Sequence, residues 1–265
     1  MGFVKVETPH DQVALITLDR PERMNAMSFD VMIPFRDALR EVSSDNDVRV
    51  VVVTGAGHGF CSGADHEDAG IVPNIDGLTV PTIALRAMEL LDDVIFAIRK
   101  MHQPVIAAVN GAAIGGGFCL ALACDVRIAS PSAYFRAAGI NNGLTAAELG
   151  LSYLLPRAIG SSRAFEIMLS GRDVDADEAQ RIGLVSSVDD DLLGSCYELA
   201  SRIIGFSRPG TELTKRMLWS SLAAGSLASH NDHAGVAQLF VRLTTQNFEE
   251  SVRARKEKRP PVFRD

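Results

Sequence analysis

Apolar positions change their spacing several times along the chain, and each change marks an element. Val4 to Val6 and Val13 to Leu18 are rich in β-branched residues and predict two strands, joined by a polar turn at Pro9 to Asp11. Arg20-Pro21-Glu22-Arg23 reads as a loop. From Ser28, a candidate N-cap, Val31, Phe35, Ala38, Leu39 and Val42 recur at helical spacing. Arg49 to Thr54 and Pro104 to Asn110 are short valine-rich runs, the pattern of strands buried on both faces of a parallel sheet. Residues 66–82 read as irregular. A helix follows from about Ile83 to Met101, with Leu85, Met88, Leu91, Ile95 and Ile98 on one face.

Further on, Phe118 to Ala123 reads as an apolar helix, and Asp125 to Ala129 and Ala133 to Phe135 as short strands. Leu151 to Gly160, Ser162 to Ser170 and Asp177 to Ile182 read as helices, and Leu184 to Val188 as a strand. Beyond about residue 195 the strand signals stop, and helical stretches follow near 195–205, 211–223 and 229–252. Repeated strand–helix units with an all-helical tail predict an α/β core carrying a helical C-terminal module. The expected division is 1–195 and 196–265. The tail's apolar positions, such as Val236, Phe240 and Leu243, exceed what a lone small module can bury, so self-association is expected.

Composition narrows the function classes. Hydrophobic residues at 47% easily support a core, and a net charge of −7 argues against general nucleic-acid binding. No apolar run reaches membrane-spanning length, and the first strands do not read as a signal peptide. Cys61, Cys119, Cys124 and Cys196 form no CxxC pair and read as reduced, buried thiols of a cytoplasmic protein. His230 and His233 sit one helical turn apart, but no Cys or further His lies nearby, so no metal site is expected.

Two segments could carry chemistry. Gly59-Phe60-Cys61-Ser62-Gly63-Ala64-Asp65 follows one buried strand, and Asn110-Gly111-Ala112-Ala113-Ile114-Gly115-Gly116-Gly117 follows another and precedes an apolar helix. Small residues let backbone approach a ligand closely, and N–H groups at a helix start can face developing negative charge. Each alone reads better as an ordinary strand–helix turn. The second lacks both GxGxxG and GxxxxGK[ST], so it is no phosphate loop. Together they predict a two-donor oxyanion hole.

The ordered set Asp19-Arg20-Pro21-Glu22-Arg23-Met24-Asn25-Ala26-Met27, Gly63-Ala64-Asp65, Gln103 to Gly111, Gly115-Gly116-Gly117, Cys124-Asp125 and Ala179 to Val185 resembles the enoyl-CoA hydratase/isomerase (crotonase) family. The resemblance covers most of the chain and is more specific for fold than for reaction. It implies a crotonase-type ββα spiral core with a helical oligomerisation module, assembling as a homotrimer or a dimer of trimers. It implies an acyl-CoA thioester as substrate, with no separate cofactor because CoA is part of that substrate. The backbone N–H groups of Ala64 and Gly116 would hold the thioester oxygen. Ser62, Gly63, Ala64, Asp65 and His66, with Gly115, Cys119 and Gly139, would line the substrate, and Lys258 could reach CoA phosphates.

The departures matter for the reaction. Where family hydratases carry two glutamates, this chain has Cys119 and, as the counterpart of the second, Gly139. Adding water needs a base for the water and an acid for carbon, and neither residue supplies one. Glu148, in Gly143-Leu144-Thr145-Ala146-Ala147-Glu148-Leu149-Gly150, remains as a candidate acid/base near the position of an active-site Asp or Glu in some family isomerases. Its bland reading is a Glu in a helix's first turn, favoured by the dipole. Double-bond isomerisation, with hydration less expected, is the leading reading. A non-catalytic acyl-CoA binder that lost its glutamates is the alternative, separable by turnover against binding. RNA binding rests only on the basic 253–259 cluster and is opposed by the charge.

Overall fold

A computed structural model describes residues 2–264; Met1 and Asp265, the outermost residues of the two expected divisions, lie outside it. The chain winds through repeated strand–strand–helix units. β1 (Val4–His10) and β2 (Val13–Leu18) lead to α1 (Phe29–Ser44); β3 (Val50–Gly55) and β4 (Gly59–Cys61) to α2 (Val80–Lys100); β5 (Val105–Val109) and β6 (Ala112–Ile114) to α3 (Gly116–Ala123). β7 (Val126–Ala129) and β8 (Tyr134–Arg136) lead to α4 (Leu151–Ile159) and α5 (Ser161–Ser170). Then come β9 (Asp173–Asp175), α6 (Ala176–Arg181), β10 (Ser187–Val188), α7 (Leu192–Ile204), α8 (Arg208–Ser221), α9 (Leu227–Thr244) and α10 (Asn247–Glu257).

From the second unit on, the first strand of each pair joins a large sheet and the second a small one. The large sheet runs β1-β2-β3-β5-β7-β10, parallel except for the β1/β2 hairpin; the small sheet runs β4-β6-β8-β9. The large sheet is covered on both faces, which explains its unbroken apolar runs. Ile16, Val51, Val53 and Ala107 face a core shared with α1, α2 and α3; Leu15, Val50, Val52 and Ile106 face α7 through Leu192, Cys196 and Ala200. The expected boundary at 195/196 falls inside α7, whose Leu192, Cys196 and Ala200 pack on the large sheet. α8 is tied back by Lys215 Nζ, which pairs with Asp125 Oδ2 at 2.8 Å and donates to the Gln103 carbonyl. Trp219 Nε1 donates to Asp125 Oδ1 at 2.6 Å, so Asp125 is an anchor for the tail.

Several elements differ from the pattern-based reading. The first turn comes at Asp11–Gln12 and leaves Pro9 in the exposed strand β1, where a missing N–H matters little. Ser28 occupies the N-cap of α1, but its Oγ accepts from Arg20 Nη1 at 3.2 Å rather than capping the helix. α2 begins earlier than expected and buries only its second half: Val94, Ile95 and Ile98 are buried, while Leu85 and Met88 are exposed. β4 and β6, three residues each, hide in segments that read as turns, and β9, of the same length, gives no signal at all, because strands so short show no periodicity. The tail's last stretch is two helices, broken at Thr245–Gln246. On α9, Val236, Phe240 and Leu243 are exposed and no residue is buried.

Candidate active site

The two small-residue segments meet where β4 and β6 end. β4 and β6 are parallel neighbours, so their C-terminal ends deliver loop 62–66 and the start of α3 to one place. Gly63, at φ +82°, lies so close to that start that a β-carbon on it would sit 2.7 Å from the Ile114 carbonyl and 3.4 Å from the Gly116 nitrogen. A β-carbon on Gly117 would fall on the Cys61 carbonyl. Only glycine permits this approach.

The register of one bridge decides which amides stay free. Met27 and Ala64 pair in parallel: Met27 N–H donates to Gly63 O at 2.7 Å, and Asp65 N–H donates to Met27 O at 3.2 Å. In such a bridge the residue between the two bonded ones turns its own N–H to the other side. Gly116 is the first residue of α3, where an N–H has no intrahelical acceptor. Among the described residues neither Ala64 N–H nor Gly116 N–H has a protein acceptor.

A charged cluster holds loop 62–68. Asp65 is buried and accepts from Arg23 Nη2 at 2.5 Å, Arg23 Nε at 3.3 Å and Arg20 Nη1 at 3.1 Å, and from the Glu67 and Asp68 amides. The Arg23 hydrogen bonds hold the Asp65 carboxyl well below the usual carboxylate range. Arg20 and Arg23 also reach Asp68 and Glu67. Asn25, fully buried at φ +55°, accepts from the Arg20 amide and donates to the Ala56 and Gly59 carbonyls. The motif from Asp19 to Met27 therefore clamps the loop that presents Ala64. Met27, Arg20 and Arg23 were not among the expected site residues; the signal available for them was a dense polar motif with no periodicity.

Because its folded pKa is depressed, Asp65 contributes stability that is complete above an unfolded value of about 3.9 and is lost as pH falls below it. Asp65→Asn is expected to melt lower than the parent at pH 7, with the gap closing toward pH 3, as followed by thermal melts. Parallel melting curves across that range would show that the cluster contributes nothing to the fold.

Glu148 reaches the same place from the other side. It starts a 3-10 turn, Glu148–Gly150, ahead of α4. β-Carbons on Gly115 and Gly139 would lie 3.7 Å from Glu148 Oε1 and 3.0 Å from Glu148 Oε2 respectively. Oε2 is buried and has no hydrogen-bond partner. Gly139 is also forced by the Thr145 carbonyl, which a β-carbon there would strike. Cys119 is fully buried, and its Sγ donates to the Gly115 carbonyl at 3.3 Å and the Glu148 carbonyl at 3.4 Å. Burial pushes the thiol well above its ordinary pKa, so it stays protonated and props the Glu148 turn. Burial likewise pushes Cys61, Cys124 and Cys196 up to about 12.

The remaining expected residues fall into two groups. Ser62 donates its amide to Met24 O and its hydroxyl to Arg23 O, a structural use. His66 is exposed, with Nε2 3.5 Å from Asn142 Nδ2. Lys258 ends α10 at φ +54° and is exposed; no hydrogen bond or ion pair among the described residues ties it to the site. Among the described residues no three His, Cys, Asp or Glu gather as a metal-binding group, and no helix is long and apolar enough to cross a membrane.

A two-sheet strand–strand–helix spiral, with unclaimed backbone amides beside the unpartnered Glu148 carboxyl, defines a protein of the crotonase fold. The chain belongs to the enoyl-CoA hydratase/isomerase family, whose model matches residues 8–265. It is 68% identical to the probable enoyl-CoA hydratase EchA12 of Mycobacterium tuberculosis H37Rv, over 100% of this chain and 94% of that protein. A probable enoyl-CoA hydratase/isomerase from Mycobacterium abscessus superposes with a TM-score of 0.96 at 68% identity, covering 100% of this chain and 99% of the other. A monofunctional enoyl-CoA isomerase from M. smegmatis is 62% identical with a TM-score of 0.74, covering 87% of this chain and 98% of the other.

Proposed function

We propose that this chain isomerises the double bond of an enoyl-CoA, with Glu148 as its only acid/base. The observation that carries the reading is the unpartnered, buried Oε2 of Glu148 lying against Gly115 and Gly139; the family resemblance adds that Cys119 and Gly139 correspond to the two glutamates of a hydratase. The M. smegmatis relative supports it as an isomerase of the same family.

The thioester oxygen accepts from the N–H groups of Ala64 and Gly116. Glu148 takes a proton from C2 of a 3-enoyl-CoA, and the electron pair moves onto the thioester oxygen as a dienolate held by the two amides. The same carboxyl returns the proton at C4, and the double bond ends between C2 and C3. One carboxyl suffices because the proton removed is the proton returned. No cofactor takes part, since CoA belongs to the substrate. The deciding experiment compares isomerisation of a 3-enoyl-CoA with hydration of a 2-enoyl-CoA by the purified protein. Isomerisation should dominate; efficient hydration would overturn the reading.

The working form is read as a homotrimer or a dimer of trimers, because α9 exposes Val236, Phe240 and Leu243 along one stripe. Light scattering is expected to give a multiple of three times the 28.5 kDa chain. A monomer mass at micromolar protein would rule this out.

A further inference from the structure

The Glu148 carboxyl and the Gly116 amide sit on different segments. Gly116 opens α3, and Glu148 opens the three-residue turn ahead of α4. A base and an oxyanion donor must hold their separation during proton transfer, since a displacement of about 1 Å can cost roughly 10²-fold in rate. The Glu148 side chain does not anchor itself, because its Oε2 has no hydrogen-bond partner. Nor does the turn support itself well. Leu149 has φ +47° and ψ +31°, and Gly150 has φ +81°, so two left-handed residues follow one another. The first of them carries a side chain for which that backbone is costly.

One side chain ties this turn to α3. Cys119 lies on α3, one helical turn beyond Gly115, and is fully buried. Its amide already donates to the Gly115 carbonyl at 3.1 Å. The single thiol proton is therefore left for the Glu148 carbonyl, 3.4 Å from Sγ and 29 residues away along the chain. Burial holds the thiol well above its ordinary pKa, so the donor proton stays in place. Among the described residues no other side chain hydrogen-bonds the backbone of residues 147–150.

We infer that Cys119 is a positioning residue, whose thiol fixes the Glu148 carboxyl relative to the oxyanion donor at the start of α3. The position that the resemblance gives to a hydratase glutamate thus serves here to aim the base. The inference rests on reading Glu148 as that base. Three variants separate the hydrogen bond from packing. Cys119→Ser keeps a donor, Cys119→Val fills the space without one, and Cys119→Ala does neither. Cys119→Val and Cys119→Ala should lose about tenfold or more of kcat for a 3-enoyl-CoA, with KM and the affinity for unreactive butanoyl-CoA close to the parent's. Cys119→Ser should recover most of that loss. A double-mutant cycle supplies the second readout. In a Glu148→Gln background Cys119→Val should cost nothing further, because the group it aims is gone. Cys119→Ala completes the cycle should Cys119→Val fail to fold. Folded Cys119→Val and Cys119→Ala proteins as active as the parent would overturn the inference. So would Cys119→Val outperforming Cys119→Ser, or an equal loss in both backgrounds. A Glu148→Gln protein as active as the parent would remove the base and this inference with it, and it is told apart because it appears with Cys119 intact.

Discussion

Glu148→Gln is expected to lower isomerisation of a 3-enoyl-CoA by at least ~10²-fold, the lower end of what a positioned general acid/base contributes. The amide keeps the volume and the hydrogen-bonding shape, so the turn from Glu148 to Gly150 and its support by the Cys119 thiol should survive. In the proposed mechanism, what is lost is the group that accepts the proton at C2. On that reading no second group takes over, so the loss should fall on kcat with little change in KM. Steady-state kinetics with both substrates checks this. A Glu148→Gln protein as active as the parent would place the acid/base elsewhere. Restoring hydration through Gly139→Glu is not expected, because a β-carbon there meets the Thr145 carbonyl and the new carboxyl would compete for space with Glu148 Oε2.

The second large effect is expected at Gly116, which matters through its backbone. Gly116→Pro deletes the N–H outright, and losing one oxyanion donor typically costs about 10²–10³-fold in kcat. A proline also brings a β-carbon, and at this position it would collide with Met27 Sδ. The clean comparison is therefore made in a Met27→Ala background, which opens that space. There Gly116→Ala, which keeps the N–H, should stay close to its parent, while Gly116→Pro should be nearly inactive yet still bind CoA thioesters. Equal activities of the two would remove this amide from the mechanism. Equal and severe losses, with binding gone as well, would show that packing against the remaining neighbour, Leu149, is what glycine protects.

The elements that were legible in the sequence share a physical property: enough length for a period to show. The valine-rich runs of β3 and β5 are buried on both faces, and that burial is what makes them read as continuous apolar segments. α1, α4 and α5 span two turns or more and place apolar residues at helical spacing. β4, β6 and β9 are too short for that, and each is a strand only because a neighbour supplies hydrogen bonds from far along the chain. α2 shows the converse. Its apolar stripe is continuous from Leu85 to Ile98, but only the half that meets α1 and α3 is buried.

The sequence by itself determined the small residues at 63, 64, 116 and 117, the lack of a glutamate at 119 and 139, and the presence of one at 148. Those identities fix which chemistry is possible, since a thiol, a bare backbone and one carboxylate have different proton-transfer capacities whatever the fold. Only the tertiary structure decided which amides are free, because that depends on the register of the Met27–Ala64 bridge and on α3 starting at Gly116. It likewise decided that Arg20 and Arg23 clamp Asp65 from more than forty residues away. It also set the Glu148 carboxyl against Gly115 and Gly139 and brought the Cys119 thiol to the Glu148 carbonyl. These are contacts between segments brought together by sheet pairing, and neither periodicity nor composition carries information about which distant backbone a side chain will meet.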